Sequence, residues 1–397
     1  MEDASADAGF NEGSDSRDAR TALAPTRGRG AASRVAGRFE KRLVHGEDDG
    51  WGSVYADAFD DDGEPLAPPR TQVTEERARS IISRNQSPDI GFSQSINPYR
   101  GCEHGCVYCF ARPSHAYLDL SPGLDFETRL YAKTNAVERL RHELSRPGYV
   151  PSPIALGINT DAYHPIERRY GLTRALLEVL AETKHPVHFV TKGGLVERDI
   201  DLLAPMAEQR LACAAVTLTT LDPRIARTLE PRAAAPERRL RTIRTLSEAG
   251  IPVSVSVAPI IPFVTEPEIE RILEAAFNAG ATGAHYVVLR LPHEVNPLFQ
   301  EWLQAHFPDR AQRVMNRIRD MRGGKDYDSD FSKRMAGEGV WADLIRQRFY
   351  KTVERLGMTE LRGRFGRIDT SQFRRPLSVP PTPGKQNGNA TGQLDLF

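Results

Sequence analysis

The chain is poor in cysteine, with four among 397 residues, and three of the four fall between positions 102 and 109. A disulfide framework would spread cysteines along the chain in pairs. The clustering therefore excludes one and points to a metal site in a reducing compartment. Charge of one sign is also lacking: 53 Lys and Arg balance 53 Asp and Glu. Net charge thus gives no attraction for nucleic acid or a membrane surface, and only local patches could. No apolar run approaches the roughly 18 residues of a membrane span. Met1 to Arg20 is polar and mixed in charge, without the apolar core of a signal peptide. These absences imply a soluble, cytoplasmic protein. A Gly-rich dinucleotide turn is missing too, which argues against a doubly wound nucleotide-binding sheet.

What is present divides the chain into four parts. Residues 1–85 are read as mostly disordered: Gly, Ala, Asp and Pro dominate, and apolar periodicity is weak. They carry a basic stretch (Arg27, Arg29, Arg34, Arg38, Lys41, Arg42) and an acidic one (Glu47 to Glu64), read as a solvated tail. Val73–Ser83 is expected to form a short helix leading into the fold. In residues 86–322, β-branched runs alternate with helical patterns. The runs are Ser93–Tyr99, Ile154–Asn159, Val187–Thr191, Ala214–Thr220, Val253–Pro259 and His285–Leu291. Between them lie helices such as Thr134–Leu144, Leu172–Thr183, Ala235–Ala249 and Glu266–Ala279. Six strands alternating with helices predict an α/β fold, a partial (β/α)6 TIM-like barrel, whose site lies at the C-terminal ends of the strands. Residues 323–369 read as a helical extension, clearest at Trp341–Gly357 with Leu344, Ile345, Phe349 and Val353 at helical spacing. Residues 370–397 read as a flexible, Pro-, Gly- and Asn-rich tail with a terminal linear motif.

The segment Asn97-Pro-Tyr-Arg-Gly-Cys102-Glu-His-Gly-Cys106-Val-Tyr-Cys109 follows the first expected strand, so its loop belongs at the barrel mouth. Thiolates suit iron–sulfur clusters or zinc. Most [4Fe-4S] clusters take four thiolates, but here three are local and Cys213 falls in an apolar strand. One iron is then left for a ligand that is not protein. The competing readings are a Cys3His zinc site using His104 or His115, which would make the chain a non-catalytic zinc-binding interaction module, and buried structural cysteines.

The C-x3-C-x2-C spacing, with aromatic Tyr108 before the third cysteine, resembles the signature of the radical S-adenosylmethionine (radical SAM) superfamily. The resemblance implies a [4Fe-4S] cluster on Cys102, Cys106 and Cys109, with S-adenosylmethionine chelating the open iron. Reductive cleavage of the sulfonium then yields a 5′-deoxyadenosyl radical that abstracts hydrogen from substrate. An electron donor such as flavodoxin or ferredoxin is implied as a partner.

Two strand ends carry polar groups toward the mouth. One reads Gly157-Ile-Asn-Thr-Asp161 and the other Phe189-Val-Thr-Lys192-Gly-Gly. Lys192 could neutralise the cofactor carboxylate as a point charge, with Asn159 and Thr160 hydrogen-bonding it. With the cysteine loop, these segments resemble the spore photoproduct lyase branch, which repairs a thymine dimer in DNA. In that branch a strand-three lysine and a small polar residue at the end of strand two hold the carboxylate, matched here by Lys192 and Asn159. The likeness covers roughly residues 92–290. The lyase's hydrogen-donor cysteine is replaced by Ile158, so repair of that lesion itself is not implied. The chain looks closer to a bacterial group of radical enzymes related to the lyase. Glu230-Pro-Arg232 and Arg290 also point toward the mouth, where Arg290 would contact cofactor or substrate. The alternative for these groups is ion pairing within loops.

Two features bear on partners. Residues 346–375 interleave arginines (Arg346, Arg348, Arg355, Arg362, Arg364, Arg367, Arg374, Arg375) and Lys351 with Phe349, Tyr350, Phe365 and Phe373. That pattern suits either a nucleic-acid groove or a helix with Phe349 buried and its arginines solvated. The terminal Gln393-Leu394-Asp395-Leu396-Phe397 resembles the pentapeptide by which bacterial polymerases and repair proteins dock on the DNA sliding clamp. Gln393, Leu394, Leu396 and Phe397 would be the contacting residues. The function expected is radical chemistry on damaged or modified DNA, the alternative substrates being RNA, protein or a small molecule.

Overall fold

A computed structural model describes residues 28–31, 33–39, 70–360 and 368–376. Its strands, in chain order, are β1 (Gln72–Glu76), β2 (Ile82–Arg84), β3 (Gln94–Ile96), β4 (Tyr99–Arg100), β5 (Arg129–Lys133), β6 (Ile154–Leu156), β7 (Val187–Thr191), β8 (Ala212–Thr217), β9 (Val253–Ile260), β10 (Gly283–Val288) and β11 (Thr359–Glu360). The main sheet runs β11-β10-β9-β8-β7-β6-β3-β2. Six of these strands, β3 and β6 to β10, pair parallel in chain order. Helices cross between them, as in a (β/α)6 partial barrel. Antiparallel β2 and parallel β11 extend its two edges.

The sequence builds this shape through two periodicities. Along β7, β8 and β9, every second residue (Val187 and Phe189; Ala212, Ala214 and Val216; Val253, Val255 and Val257) joins the hydrophobic core under the helices, as strand alternation requires. The intervening residues, among them His188, Cys213, Ala215, Ser254 and Ser256, belong to the opposite face. They are small or polar, unlike the bulky aliphatics that fill a closed barrel. On the helical side, Ile269–Asn278 buries Ile269, Ile272, Leu273 and Ala276, the i, i+3, i+4, i+7 stripe of an amphipathic helix. Each large aliphatic buried this way contributes about 1.5–3 kcal/mol.

Several expectations are corrected. Val73–Ser83 is not a helix. Its first part pairs with β5 in register from Gln72↔Arg129 to Glu76↔Lys133, and β2 pairs with β3. The available sheet edges outweigh a weak helical pattern here. Parts of the supposed solvated N-terminal stretch are docked: Arg29 and Ala31 are buried, Arg34 pairs with Asp125 and Arg38 with Glu294. Arg27, Lys41, Arg42 and the acidic stretch lie outside the described residues.

The expected helical extension forms as Gly339–Arg355, burying Ile345, Phe349 and Val353 but leaving Leu344 exposed. Its basic–aromatic pattern is largely structural. Arg348 is clamped by Glu266 and Glu270, Arg355 pairs with Glu274, and Arg346 with Asp343. Residues 368–376, of which 370 onward were expected to be flexible tail, lie across the N-terminal ends of β7 and β8. Asp369 N donates to Arg210 O (2.9 Å) and Arg374 N to Thr183 O (2.8 Å). The Phe373 ring packs 5.5 Å from Tyr149 and 5.3 Å from His185. Arg362, Arg364, Phe365, Arg367 and the terminal pentapeptide lie outside the described residues.

Candidate active site

The cysteine loop leaves β3 at the C-terminal end of the barrel, where the other strand ends converge. All three of its thiols are free. Cys102 and Cys106 are buried, whereas Cys109 is partly exposed and packs against both neighbourhoods. Burial pushes the Cys102 thiol well up, and the nearby Asp161, Cys106 and Cys109 add to the effect. Burial also pushes Cys106 up to about 12, against the opposing pull of Lys192. Such thiols become thiolates when a cationic group binds them.

The loop is held by a fully buried arginine that sequence reasoning missed. Arg112 Nε donates to Cys106 O (2.9 Å), Nη1 to Pro122 O (3.1 Å) and Gly123 O (2.9 Å), and Nη2 to Gly105 O (3.2 Å) and the Glu127 carboxylate. All five guanidinium donors are engaged. An arginine three residues beyond a cysteine has no spacing that announces such a role.

Asp161 forms the second anchor. Its Oδ1 accepts Thr191 Oγ1 (2.7 Å) and Tyr163 N (2.9 Å), and its Oδ2 accepts Lys192 N (2.7 Å). His104 Nδ1 lies 3.3 Å from Oδ2. Burial alone would raise its pKa, but His104 and the two backbone N–H groups outweigh burial and hold it well below the usual carboxylate range. Asp161 thereby ties β6, β7 and the cysteine loop together.

Lys192, at the end of β7, places its Nζ 5.7 Å from the centroid of the Tyr108 ring. Burial works against its charge, yet Cys106 and Glu230 more than offset it and raise its pKa. Beneath it, the Glu230 carboxylate accepts from Tyr108 OH, from Thr219 Oγ1 (2.7 Å) and from the buried Arg239. Lys192 and Arg239 stand beside Cys106 as its two cations, and Lys192 is the one not bonded by Glu230, so its ammonium could meet a cofactor carboxylate.

The other expected residues divide. Asn159 is exposed at the rim, its backbone N bonded to Asn97 Oδ1 (2.7 Å). The Thr160 hydroxyl donates to Tyr99 O (3.2 Å) inside the cysteine loop, so its hydrogen is not available to a ligand. Arg290 stacks 5.0 Å over Phe110 and contacts Met335 Sδ at 3.3 Å. Glu230 and Arg232 follow the ion-pair alternative: Arg232 bonds Glu103 Oε1 at 3.1 Å. Cys213 sits within β8, buried and with its pKa pushed up to about 12 by that burial.

Each histidine of the zinc reading has one ring nitrogen engaged, as a metal-bound imidazole also would. His104 is engaged by Asp161, and His115 Nε2 by Arg129 O at 3.0 Å. Among the described residues no three His, Cys, Asp or Glu side chains are grouped to hold one ion. A zinc site would draw four donors to within about 2.3 Å of a single ion, whereas a cluster gives each thiolate its own iron. Three neighbouring thiols with a cationic corner therefore fit a [4Fe-4S] cluster and S-adenosylmethionine. Among the described residues no helix is long and apolar enough to cross a membrane.

The chain is similar to several known proteins. An uncharacterized protein of Mycobacterium tuberculosis is 40% identical over 226 residues, which are 56% of this chain and 66% of that protein. The chain thus spans just under two thirds of this relative's length. A radical SAM Nalpha-GlyT isomerase of Pseudomonas phage M6 is 26% identical over 282 residues, 68% of this chain and 53% of that protein. Among solved structures, spore photoproduct lyase complexed with dinucleoside spore photoproduct aligns with a TM-score of 0.48 at 15% identity, covering 72% of this chain and 81% of that one. Residues 96–276, from the cysteine loop through the helix after β9, match the family model of the Radical SAM superfamily.

Proposed function

We propose that the chain is a radical SAM enzyme that cleaves S-adenosylmethionine reductively and acts on damaged or modified DNA. The observation that carries the chemistry is the loop of three free thiols at the barrel mouth beside a cationic corner, with the fourth cysteine away in β8. Cys102, Cys106 and Cys109 hold the cluster. Lys192 neutralises the cofactor carboxylate from the β7 end, and Asn159 offers its amide from the β6 end. Tyr108 and Thr160 act by position, the first as a platform under Lys192 and the second by bracing the cysteine loop. Arg290 lies farther out, on the wall that Phe110 shares, where it meets the adenosine or the substrate. When bound, the cluster and S-adenosylmethionine supply a 5′-deoxyadenosyl radical for hydrogen abstraction, the chemistry itself belonging to the cofactors.

The DNA assignment is supported by the likeness of the cysteine loop, Asn159 and Lys192 to the DNA-repair lyase. It is also supported by Gln393, Leu394, Leu396 and Phe397, which match a clamp-docking peptide. With Ile158 at the lyase's thiol position, the product radical is quenched by some other donor or rearranges. The bacterial sliding clamp is the proposed partner, and flavodoxin or ferredoxin the electron donor.

The test is anaerobic reconstitution with iron and sulfide, then reduction in the presence of S-adenosylmethionine. The expected result is a brown protein that forms 5′-deoxyadenosine. Deuterated oligonucleotides bearing modified or damaged thymine should transfer deuterium into that product. Zinc binding without colour would refute the enzyme, and unlabelled 5′-deoxyadenosine with every oligonucleotide would refute the DNA substrate while leaving the enzyme standing.

A further inference from the structure

The cysteine loop is gripped from outside the barrel by the segment of residues 28–31 and 33–39. Gly30 N and Ala31 N donate to the two Glu127 carboxylate oxygens at 3.0 and 2.9 Å, and Arg29 Nη1 donates to Glu127 O at 2.8 Å. The same carboxylate receives Arg112, the arginine that binds the carbonyls of Gly105 and Cys106. A second line of contact reaches the loop on its other side. Arg29 Nη2 donates to Thr71 Oγ1 (3.2 Å), which donates to Glu103 Oε1 (2.6 Å). Glu103 and Gly105 both lie between the first and second cysteines.

The approach is too close for side chains. A Cβ on Gly30 would stand 1.8 Å from Gly105 O, and a Cβ on Gly105, whose φ is +66°, would stand 2.8 Å from Glu127 Oε2. The segment then runs on across the fold. Ser121 Oγ donates to Val35 O (2.6 Å), Arg38 Nε bonds Glu294 Oε1 (2.9 Å), and the Phe39 ring lies 4.9 Å from Tyr117.

We infer that residues 28–31 and 33–39 form a strap that positions the cysteine loop for its cluster, with Glu127 as the positioning residue through which strap and loop are joined. The inference rests on the cluster reading above. A carboxylate that accepts from the strap backbone and from the loop's arginine couples the two: undocking the strap leaves Glu127 with a single partner, and Arg112 free to shift with it. The strap also covers the loop between Cys102 and Cys106, so its loss opens that stretch to solvent and chelator.

The test compares the reconstituted full chain with a chain lacking residues 1–39, with Gly30→Val and with Glu127→Gln. Each is examined for iron and sulfide content, for the electron paramagnetic resonance signal of the reduced cluster, and for the rate at which EDTA bleaches its visible absorbance. The truncated chain and Gly30→Val should keep the far-ultraviolet circular dichroism of the full chain. They should lose cluster about tenfold faster or more, with a broadened resonance signal, and Glu127→Gln should behave likewise. Bleaching at the full-chain rate in the truncated protein would overturn the inference and leave the function standing. Should truncation unfold the chain, the same comparison in Gly30→Val decides. A full chain that takes up no iron and sulfide overturns both the cluster reading and the strap's role.

Discussion

Replacing Arg112 by Met tests how much of the fold around the cysteine loop hangs on one side chain. Arg112 and Glu127 are both fully buried. Removing the cation leaves the carboxylate uncompensated in the interior, and breaking a buried pair in this way costs about 3–5 kcal/mol. The carbonyls of Gly105, Cys106, Pro122 and Gly123 lose donors as well, so the upper part of that range applies. Against a typical net stability of roughly 5–15 kcal/mol, the change is large. The exposed pair Arg141–Glu182 provides the control, because truncating a surface pair changes stability by about 0.2–1 kcal/mol. Urea unfolding of the apoprotein should show a much lower midpoint for Arg112→Met and almost none of that shift for Arg141→Ala. The double variant Arg112→Met/Glu127→Met should recover part of the loss, since no charge is then stranded. It should not recover all of it, because Gly30 N and Ala31 N also lose their acceptor. A loss under 1 kcal/mol for Arg112→Met, or a double variant no better than the single one, would refute the reasoning.

Three further outcomes are expected. Cys102→Ala, Cys106→Ala and Cys109→Ala should each abolish cluster assembly while Cys213→Ala retains it; iron analysis showing the reverse would refute the ligand assignment. Lys192→Ala should keep the cluster and weaken S-adenosylmethionine binding by about 1.5–3 kcal/mol, roughly 10- to 150-fold, and unchanged affinity in equilibrium dialysis would remove Lys192 from the cofactor site. Acid should destabilise the fold early: burial holds His115 and His185 at about 4 and His188 at about 3. These imidazoles stay neutral when folded and take up protons near 6.5 when unfolded. Stability should therefore fall as pH drops from about 6.5 toward 4, by up to about 1.4 kcal/mol per pH unit for each group. Equal urea midpoints at pH 7.5 and 5.5 would contradict this.

The barrel was legible because its six strands are short β-branched runs spaced by helical patterns, two signals of different period. The spacing of the three cysteines was enough to put them on one loop. The N-terminal strap was not: it has few apolar residues, and it docks by backbone N–H groups on a carboxylate 96 and 97 positions away, for which sequence carries no local mark. Basic residues around Phe349 presented the opposite difficulty. Their pattern suits nucleic acid, but the carboxylates that neutralise Arg348 lie 82 and 78 positions earlier in the chain, at Glu266 and Glu270. Thr160 was expected to bond the cofactor, yet its hydroxyl turns back to Tyr99 O.

Residues 368–376 are seated across the N-terminal ends of β7 and β8. This fixes the departure point of the chain's last stretch on the face opposite the cysteine mouth. Gln393 follows Pro376 by 17 positions, a separation that covalent geometry limits to about 60 Å. Whatever follows Pro376 thus starts from the side of the barrel away from the three cysteines, and a group attached there begins no contact at the mouth itself.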